Sequence, residues 1–382
     1  MTLPTLPSEL GAVARTIADR RVEIADARKL PRDLVDDLKH AGAFRIAVPK
    51  ASGGPELSPR AQNEIIEALS YEDASVGWCV MIGSDAPFYG AFMDPSAAAN
   101  LWTSIDDITA GMLQPAGRAR REGDGYVVSG QWPFGSGSTH AEVLVGGCLV
   151  VDDSGSPIMT DRGPDWIIPA ARADQWTILD TWHTTGLAGS GSNDYTAVDL
   201  FVNAEHCFRL SDPVQRAEPL YQFPGSFFAN MSGVALGLTR RSIDMVHEIA
   251  QDKLVMPEFV MMRDLPRVRL EVARARAQFG AARTYAYGAL DAMWEELERG
   301  DQLSVSTRVD IALSRAHAFD VARTVTRALA DVVGASTIYR NHPLEQLQRD
   351  AGTLRQHIVA QDRTMEMIGG LALTGSSELP FF

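Results

Sequence analysis

A chain of 382 residues is too long for one ordinary core, so two or three packed units are expected. Its 45% hydrophobic and 22% charged residues describe a soluble globular protein, and no apolar run is long enough to span a bilayer. The formal net charge of -14 argues against a nucleic-acid partner, because phosphate binding relies on a basic face.

The opening stretch Met1 to Pro7 lacks the basic start and apolar core of a signal peptide. Cys79, Cys148 and Cys207 are widely spaced and odd in number, so neither a disulfide framework nor a metal site is expected. These features together predict a cytoplasmic protein.

The first hundred or so residues read as helices. Leu10, Val13, Ala14 and Ile17 recur at helical spacing. Pro31 opens a short helix that Gly42 closes, and Ser58-Pro59 starts another. From Ser75 to Met93 the chain is nearly uncharged, which predicts a buried helix, and Asp94-Pro95-Ser96 restarts one through Leu101.

Around Gly111 the texture changes to short β-branched runs punctuated by glycine and aspartate. Gly123-Asp124-Gly125 and Asp152 to Gly155 look like hairpin tips. The segments Tyr126 to Gly130, Glu142 to Val151, Trp166 to Ile168, Gln175 to Leu179 and Tyr195 to Val202 read as strands. No long crossover helix separates them, so the sheet is expected to be antiparallel. From about Phe227 the helical period returns in four long segments: Met231 to Ala250, Arg263 to Met293, Thr307 to Val333 and Pro343 to Gly369. An antiparallel four-helix bundle is the economical packing. The predicted organisation is a helical domain (1–111), a middle β domain (112–208) and the bundle (209–382).

Two loops of the β unit share an unusual make-up. Gln131-Trp132-Pro133-Phe134-Gly135-Ser136-Gly137-Ser138-Thr139-His140 and Trp182-His183-Thr184-Thr185-Gly186-Leu187-Ala188-Gly189-Ser190-Gly191-Ser192 combine glycines, hydroxyls and aromatics. Glycine lets a backbone approach a ligand closely, and a hydroxyl bonds to one without bringing a charge. Such loops suit a flat ring with polar edges. His140 and His183 flank them and read first as loop residues facing water.

This order of domains resembles the acyl-CoA dehydrogenase fold: α+β and mostly α, with a β unit between a helical domain and a four-helix bundle. The two loop motifs, with Glu67 to Trp78 and Pro343-Leu344 to Arg349-Asp350, look like the flavin-dependent monooxygenases on that fold. Those are the oxygenase components of two-component hydroxylases, similar to enzymes acting on 4-hydroxyphenylacetate, secosteroid phenols and dibenzothiophene. The resemblance implies reduced flavin, FMN or FAD, supplied by a separate reductase. With O2 as co-substrate, a C4a-hydroperoxyflavin would hydroxylate a small aromatic substrate. It also implies a homotetramer without membrane attachment.

Carried onto this sequence, the resemblance has Ser136 donating toward flavin N5, with Trp132, Trp182 and Ser192 lining the ring and Gln114 at its edge. Gly334, Ala335 and Ser336 would approach the cofactor of a neighbouring subunit. His357, seven residues after Asp350 and so on the same helix face, would act as a base. Asp350 and Arg349 read as a structural ion pair. Many relatives carry a histidine where this chain has Ala86, which leaves the substrate open between a phenol, another aromatic, a polyketide and an amine. The alternative is an acyl-CoA dehydrogenase using bound FAD, but Arg355 to Ala360 contains no carboxylate to serve as its base.

Overall fold

The computed structural model describes residues 4, 6–161 and 163–376. The reading of the first seven residues therefore falls mostly outside the described part. The chain begins with α1 (Ser8–Ile17), α2 (Arg21–Ala27), α3 (Arg32–His40), α4 (Pro59–Glu72), α5 (Ala74–Gly83), α6 (Ala86–Gly90) and α7 (Pro95–Leu101). Their starts follow from local chemistry. The Ser58 hydroxyl accepts from Ala61 N at 3.3 Å ahead of Pro59, and Asp73 Oδ1 accepts from Ser75 N and Val76 N. The uncharged run forms two buried helices, not one, because the chain turns at Ser84 and Asp85.

Strands follow: β1 (Thr109–Glu122), β2 (Gly125–Gly135), β3 (Val143–Val151), β4 (Met159–Thr160), β5 (Gly163–Pro164), β6 (Trp166–Arg172), β7 (Thr177–Ile178), β8 (Asn193–Asn203) and β9 (Cys207–Phe208). The main sheet runs β7-β8-β2-β1-β3-β6-β9. One pair departs from the antiparallel expectation: β1 and β3 are parallel, with Thr109 opposite Val143 and Gly111 opposite Val145. No helix is needed for this crossover. β2 returns antiparallel along the other edge of β1 and itself carries the chain back.

The last unit contains α8 (Ser232–Asp252), a short hairpin of β10 (Leu254–Val255) and β11 (Val260–Met261), then α9 (Pro266–Glu298), α10 (Val305–Val333), α11 (Pro343–Leu354) and α12 (Asp362–Thr374). The fourth bundle segment is thus broken between Leu354 and Asp362, where a single continuous helix was expected. Gly233 and Gly237 do serve a close helix contact. A Cβ on either would strike the backbone of α4, at Asn63 O or Glu67 O. That approach welds the N-terminal helices to the bundle, and Leu10, Ile66, Val80, Val246, Phe319 and Leu354 belong to one hydrophobic core. On it sits a buried Glu67 that accepts from Arg283 Nε at 2.9 Å and from the Tyr287 hydroxyl.

Candidate active site

β2 ends in an irregularity between Trp132 and Gly135, with Phe134 in the left-handed region at φ 61. The turn that follows delivers Ser136 to the inside, 6% exposed, and Gly137 N donates to Ser190 O at 2.9 Å, tying the two loops together. The second loop is shaped by left-handed Leu187 and Gly191. Asn193 Oδ1 accepts from Thr181 N and Trp182 N at 3.1 and 2.9 Å, and Trp182 Nε1 donates to Leu187 O at 3.0 Å.

These loops bring three buried serines into a row. Ser136 Oγ lies 2.7 Å from Ser192 Oγ, Ser192 Oγ lies 2.7 Å from Ser190 Oγ, and Ser190 Oγ lies 2.7 Å from Leu187 O. A carbonyl only accepts, so Ser190 spends its single proton on Leu187 O. Ser192 must then donate to Ser190, and Ser136 to Ser192. Trp78 Nε1 donates to Ser136 Oγ at 2.9 Å. The Ser136 oxygen is left with one free acceptor position and no proton to give outward.

Trp182 and Ser192 are therefore gathered with Ser136, and the Trp182 ring meets Phe134 edge-on at 6.3 Å. Trp132 is not. It is fully buried among Trp176 and Tyr195 and donates to Gly147 O, so its ring is spent on the sheet's own core and cannot line a ligand. Gln114 stands exposed on an irregular stretch of β1, between Met112 and Gly117. Gly334, Ala335 and Ser336 close α10. Ser336 Oγ accepts from Lys253 Nζ, and none of the bonds of this stretch reaches the serines of the same chain among the described residues.

His357 meets Trp78 edge-on at 5.2 Å, which puts it one side chain from Ser136. It lies beyond the end of α11, in the break before α12, so helical spacing from Asp350 is not what places it. Burial first, and then the nearby Arg315 guanidinium, lower its pKa to about 4, which keeps the ring neutral at pH 7. Asp350 does not pair with Arg349. Its Oδ1 accepts from Leu187 N at 2.6 Å and so pins the second loop to α11, while Arg349 binds Glu345 and Thr185 O. Burial, with Asp73 adding to it, raises the Asp350 pKa to about 7.

The two flanking histidines part company. His183 faces solvent beside Asp180 and Arg28. His140, expected to face water, is 5% exposed with neither ring nitrogen bonded, and burial lowers its pKa to about 4. Two further residues were missed by sequence reasoning. Asp85 is buried, accepts from the Tyr89 hydroxyl at 3.2 Å and leaves Oδ1 unpartnered; burial holds its pKa well above the ordinary carboxyl range. It is the one charged residue between Ser75 and Met93, which was its signal. Arg315, 4% exposed, lies between Ile311 and Phe319 on the core stripe of α10, where a charge is out of place.

Two family models match the chain: "Acyl-CoA dehydrogenase, N-terminal domain" over residues 10–90 and "Acyl-CoA dehydrogenase, C-terminal domain" over 229–362. The chain is 31% identical to indole-3-acetate monooxygenase of Pseudomonas putida over 356 residues, 92% of this chain and 89% of that protein. It is 26% identical to the oxygenase component of the FADH(2)-dependent resorcinol hydroxylase of a Rhizobium species, over 95% of this chain and 93% of that one. The structure of XiaF from a Streptomyces species, in complex with FADH2 and glycerol, superposes with a TM-score of 0.88 at 21% identity, covering 97% and 95% of the two chains. That last likeness is one of fold.

Proposed function

The chain belongs to the acyl-CoA dehydrogenase family, among its flavin-dependent monooxygenases, and from that premise we propose that it is the oxygenase component of a two-component system hydroxylating a small aromatic substrate. Reduced flavin and O2 are its co-reactants, and a separate reductase supplies the flavin. The observation that carries the reading is the serine row, a buried set of hydroxyls whose innermost oxygen is left as an acceptor.

The residues present fit a reduced flavin, a flat ring with N–H groups on its edge. Ser136 has an acceptor position open, the Phe134–Trp182 pair offers an aromatic wall, and left-handed Gly137 and Gly191 keep side chains out of the two turns. When bound, the flavin supplies the electrons that activate O2. Ser136 would accept a hydrogen bond from a ring N–H of the bound flavin and so hold that proton in place. This reverses the donor role first expected of it. Ser192 and Ser190 fix the direction of the row, and their burial excludes water from that edge. Trp182 lines the ring, and neutral His357 receives the proton a substrate hydroxyl or ring N–H gives up.

Gly334, Ala335 and Ser336 are assigned to a neighbouring protomer's cofactor in a homotetramer, Gln114 to the outer edge of the site, and the protein to the cytoplasm. Either FMN or FAD suits the serine row. The desaturase alternative finds less support, because the bundle residue that meets Trp78 is an imidazole and the relatives above are a monooxygenase and a hydroxylase. Turnover of indole-3-acetate under 18O2 with enzymatically reduced flavin tests the reading. One labelled oxygen atom per hydroxylated product is expected; product without label would reject oxygenation.

A further inference from the structure

Arg28 stands at the end of α2, where a helix most often places glycine. Its backbone is left-handed, at φ 52 and ψ 30, and its N–H donates to Ala25 O at 3.2 Å. A side chain in that conformation crowds its own carbonyl, so an arginine there is strained unless contacts of its guanidinium offset the strain. Those contacts exist. Nη1 and Nη2 grip the Asp180 carboxylate as a fork, at 2.7 and 3.0 Å. Nη1 also lies 3.3 Å from both Trp182 O and His183 Nε2. A guanidinium only donates, so all of these atoms accept from it.

The second loop is also seated on α2 through its glycines. A Cβ on Gly189 would strike Ile24, and one on Gly191 would lie 3.2 Å from Arg28 O. At its other end the loop is held by the bundle, where Arg349 donates to Thr185 O and Asp350 accepts from Leu187 N. Between these holds lies Trp182, whose amide donates to Asn193 Oδ1 together with that of Thr181. The loop is therefore a strap fixed by two different units, and Arg28 holds the end that carries Trp182. The Arg28 and Asp180 side chains are 31% and 68% exposed, and exposed ion pairs add little to overall stability. Such a pair can still set the order of the one segment it touches.

Resting on the oxygenase reading above, we propose that Arg28 is the positioning residue for Trp182: its guanidinium holds the segment from Asp180 to His183 so that the indole keeps its place beside the cofactor ring. Arg28 acts through Trp182 and not on the reacting atoms. The strained backbone persists because the clamp needs a side chain that glycine lacks. Lysine, a point charge without a planar fork, would make a weaker clamp.

Arg28→Gly separates positioning from general support, because it relieves the strained backbone while removing the clamp. Urea unfolding of the flavin-free variant should give a midpoint equal to or above that of wild type. Hydrogen exchange on the same flavin-free protein should speed up at least about tenfold at the Thr181 and Trp182 amides. It should change less than about threefold at Leu187, which Asp350 holds. Dissociation constants for reduced FMN and reduced FAD, from anaerobic titration, should rise roughly three- to tenfold, as expected for an exposed charge pair with further hydrogen bonds. Asp180→Asn should reproduce the exchange pattern, and Arg28→Lys should fall between wild type and Arg28→Gly. Unchanged exchange at Thr181 and Trp182, or a lowered urea midpoint with all three amides loosened alike, overturns the proposal. Wild type that binds neither reduced flavin defeats the oxygenase reading and takes the proposal with it; flavin binding that Arg28→Gly leaves intact defeats the proposal alone.

Discussion

A hydroxyl carries one proton, so the row Ser136, Ser192, Ser190 has a direction, and that direction ends on Leu187 O. Replacing Ser190 with Ala removes the acceptor for Ser192 and leaves its proton free to turn back toward Ser136. Ser136 would then regain its own proton for outward donation. The expected result for Ser190→Ala is more hydrogen peroxide released per product, with KM for the substrate changed less than about threefold; unchanged coupling would show that the direction of the row is unimportant. His357 yields a pH prediction. Its pKa of about 4 in the free protein puts the acid limb of kcat/KM well below the 6.5 of an ordinary histidine, and His357→Asn should lower kcat by roughly 100-fold or more and abolish that limb. That the two turns belong together was legible in the sequence because small and hydroxyl residues cluster in both, while the choice of Ser136 and Ser192 within them came from the family resemblance. Trp132 misled, because the strand continues through it and the irregularity comes only after it, so alternation sends its ring into the sheet. Asp85 is a lone charge in an apolar stretch and Arg315 a charge on the core stripe of α10, but neither was singled out from the sequence, because only the packed structure shows that each leaves a buried polar atom without a partner.

At the scale of elements, the second loop depends on α11. Gly186 packs so close to the Arg349 backbone that a Cβ there would collide, and Asp350 Oδ1 satisfies Leu187 N. Asp350→Ala leaves that buried N–H unpaired and should cost roughly 1–3 kcal/mol in urea unfolding, with a matching loss of flavin affinity as the loop loosens. Asp350→Asn keeps an oxygen acceptor and should lose much less. Equal losses for the two variants would mean the Leu187 bond is not what anchors the loop. Helix starts at Pro59, Pro95 and Pro343 were readable from caps and prolines, because those signals are local. The break between α11 and α12 was not, since Arg355 to Gln361 contains neither glycine nor proline. The parallel β1–β3 pair was equally hidden, because which edge of β1 receives β3 is settled by packing far along the chain.

Across the whole molecule, buried ionisable groups set opposing pH dependences. His140 has its folded pKa depressed to about 4, so the unfolded chain binds more protons between 6.5 and 4, and stability falls as pH drops through that window. A shift of this size corresponds to at most on the order of 3 kcal/mol. Asp350 acts with the other sign: its folded pKa of about 7 makes the native state bind more protons above the ordinary carboxyl range, so its contribution is lost as pH rises toward and through 7. His140→Phe should therefore flatten the acid side of the stability profile, and Asp350→Asn the neutral side, in denaturant titrations at pH 4 to 8. The order of helical unit, sheet and bundle was legible because hydrophobic period switches from helical to strand-like and back. That the outer two units share one core was not, because the Gly233–Gly237 approach to α4 joins residues about 170 positions apart.

Held as an acceptor in a dry row of hydroxyls, the Ser136 oxygen would guard a proton on the reduced cofactor while oxygen is passed to substrate. The ratio of hydrogen peroxide to hydroxylated product, measured side by side for wild type and Ser136→Ala at saturating substrate and reduced flavin, tests it directly. A ratio at least about tenfold higher in the variant, with flavin binding retained, is expected; the same ratio in both proteins would rule out this role for Ser136.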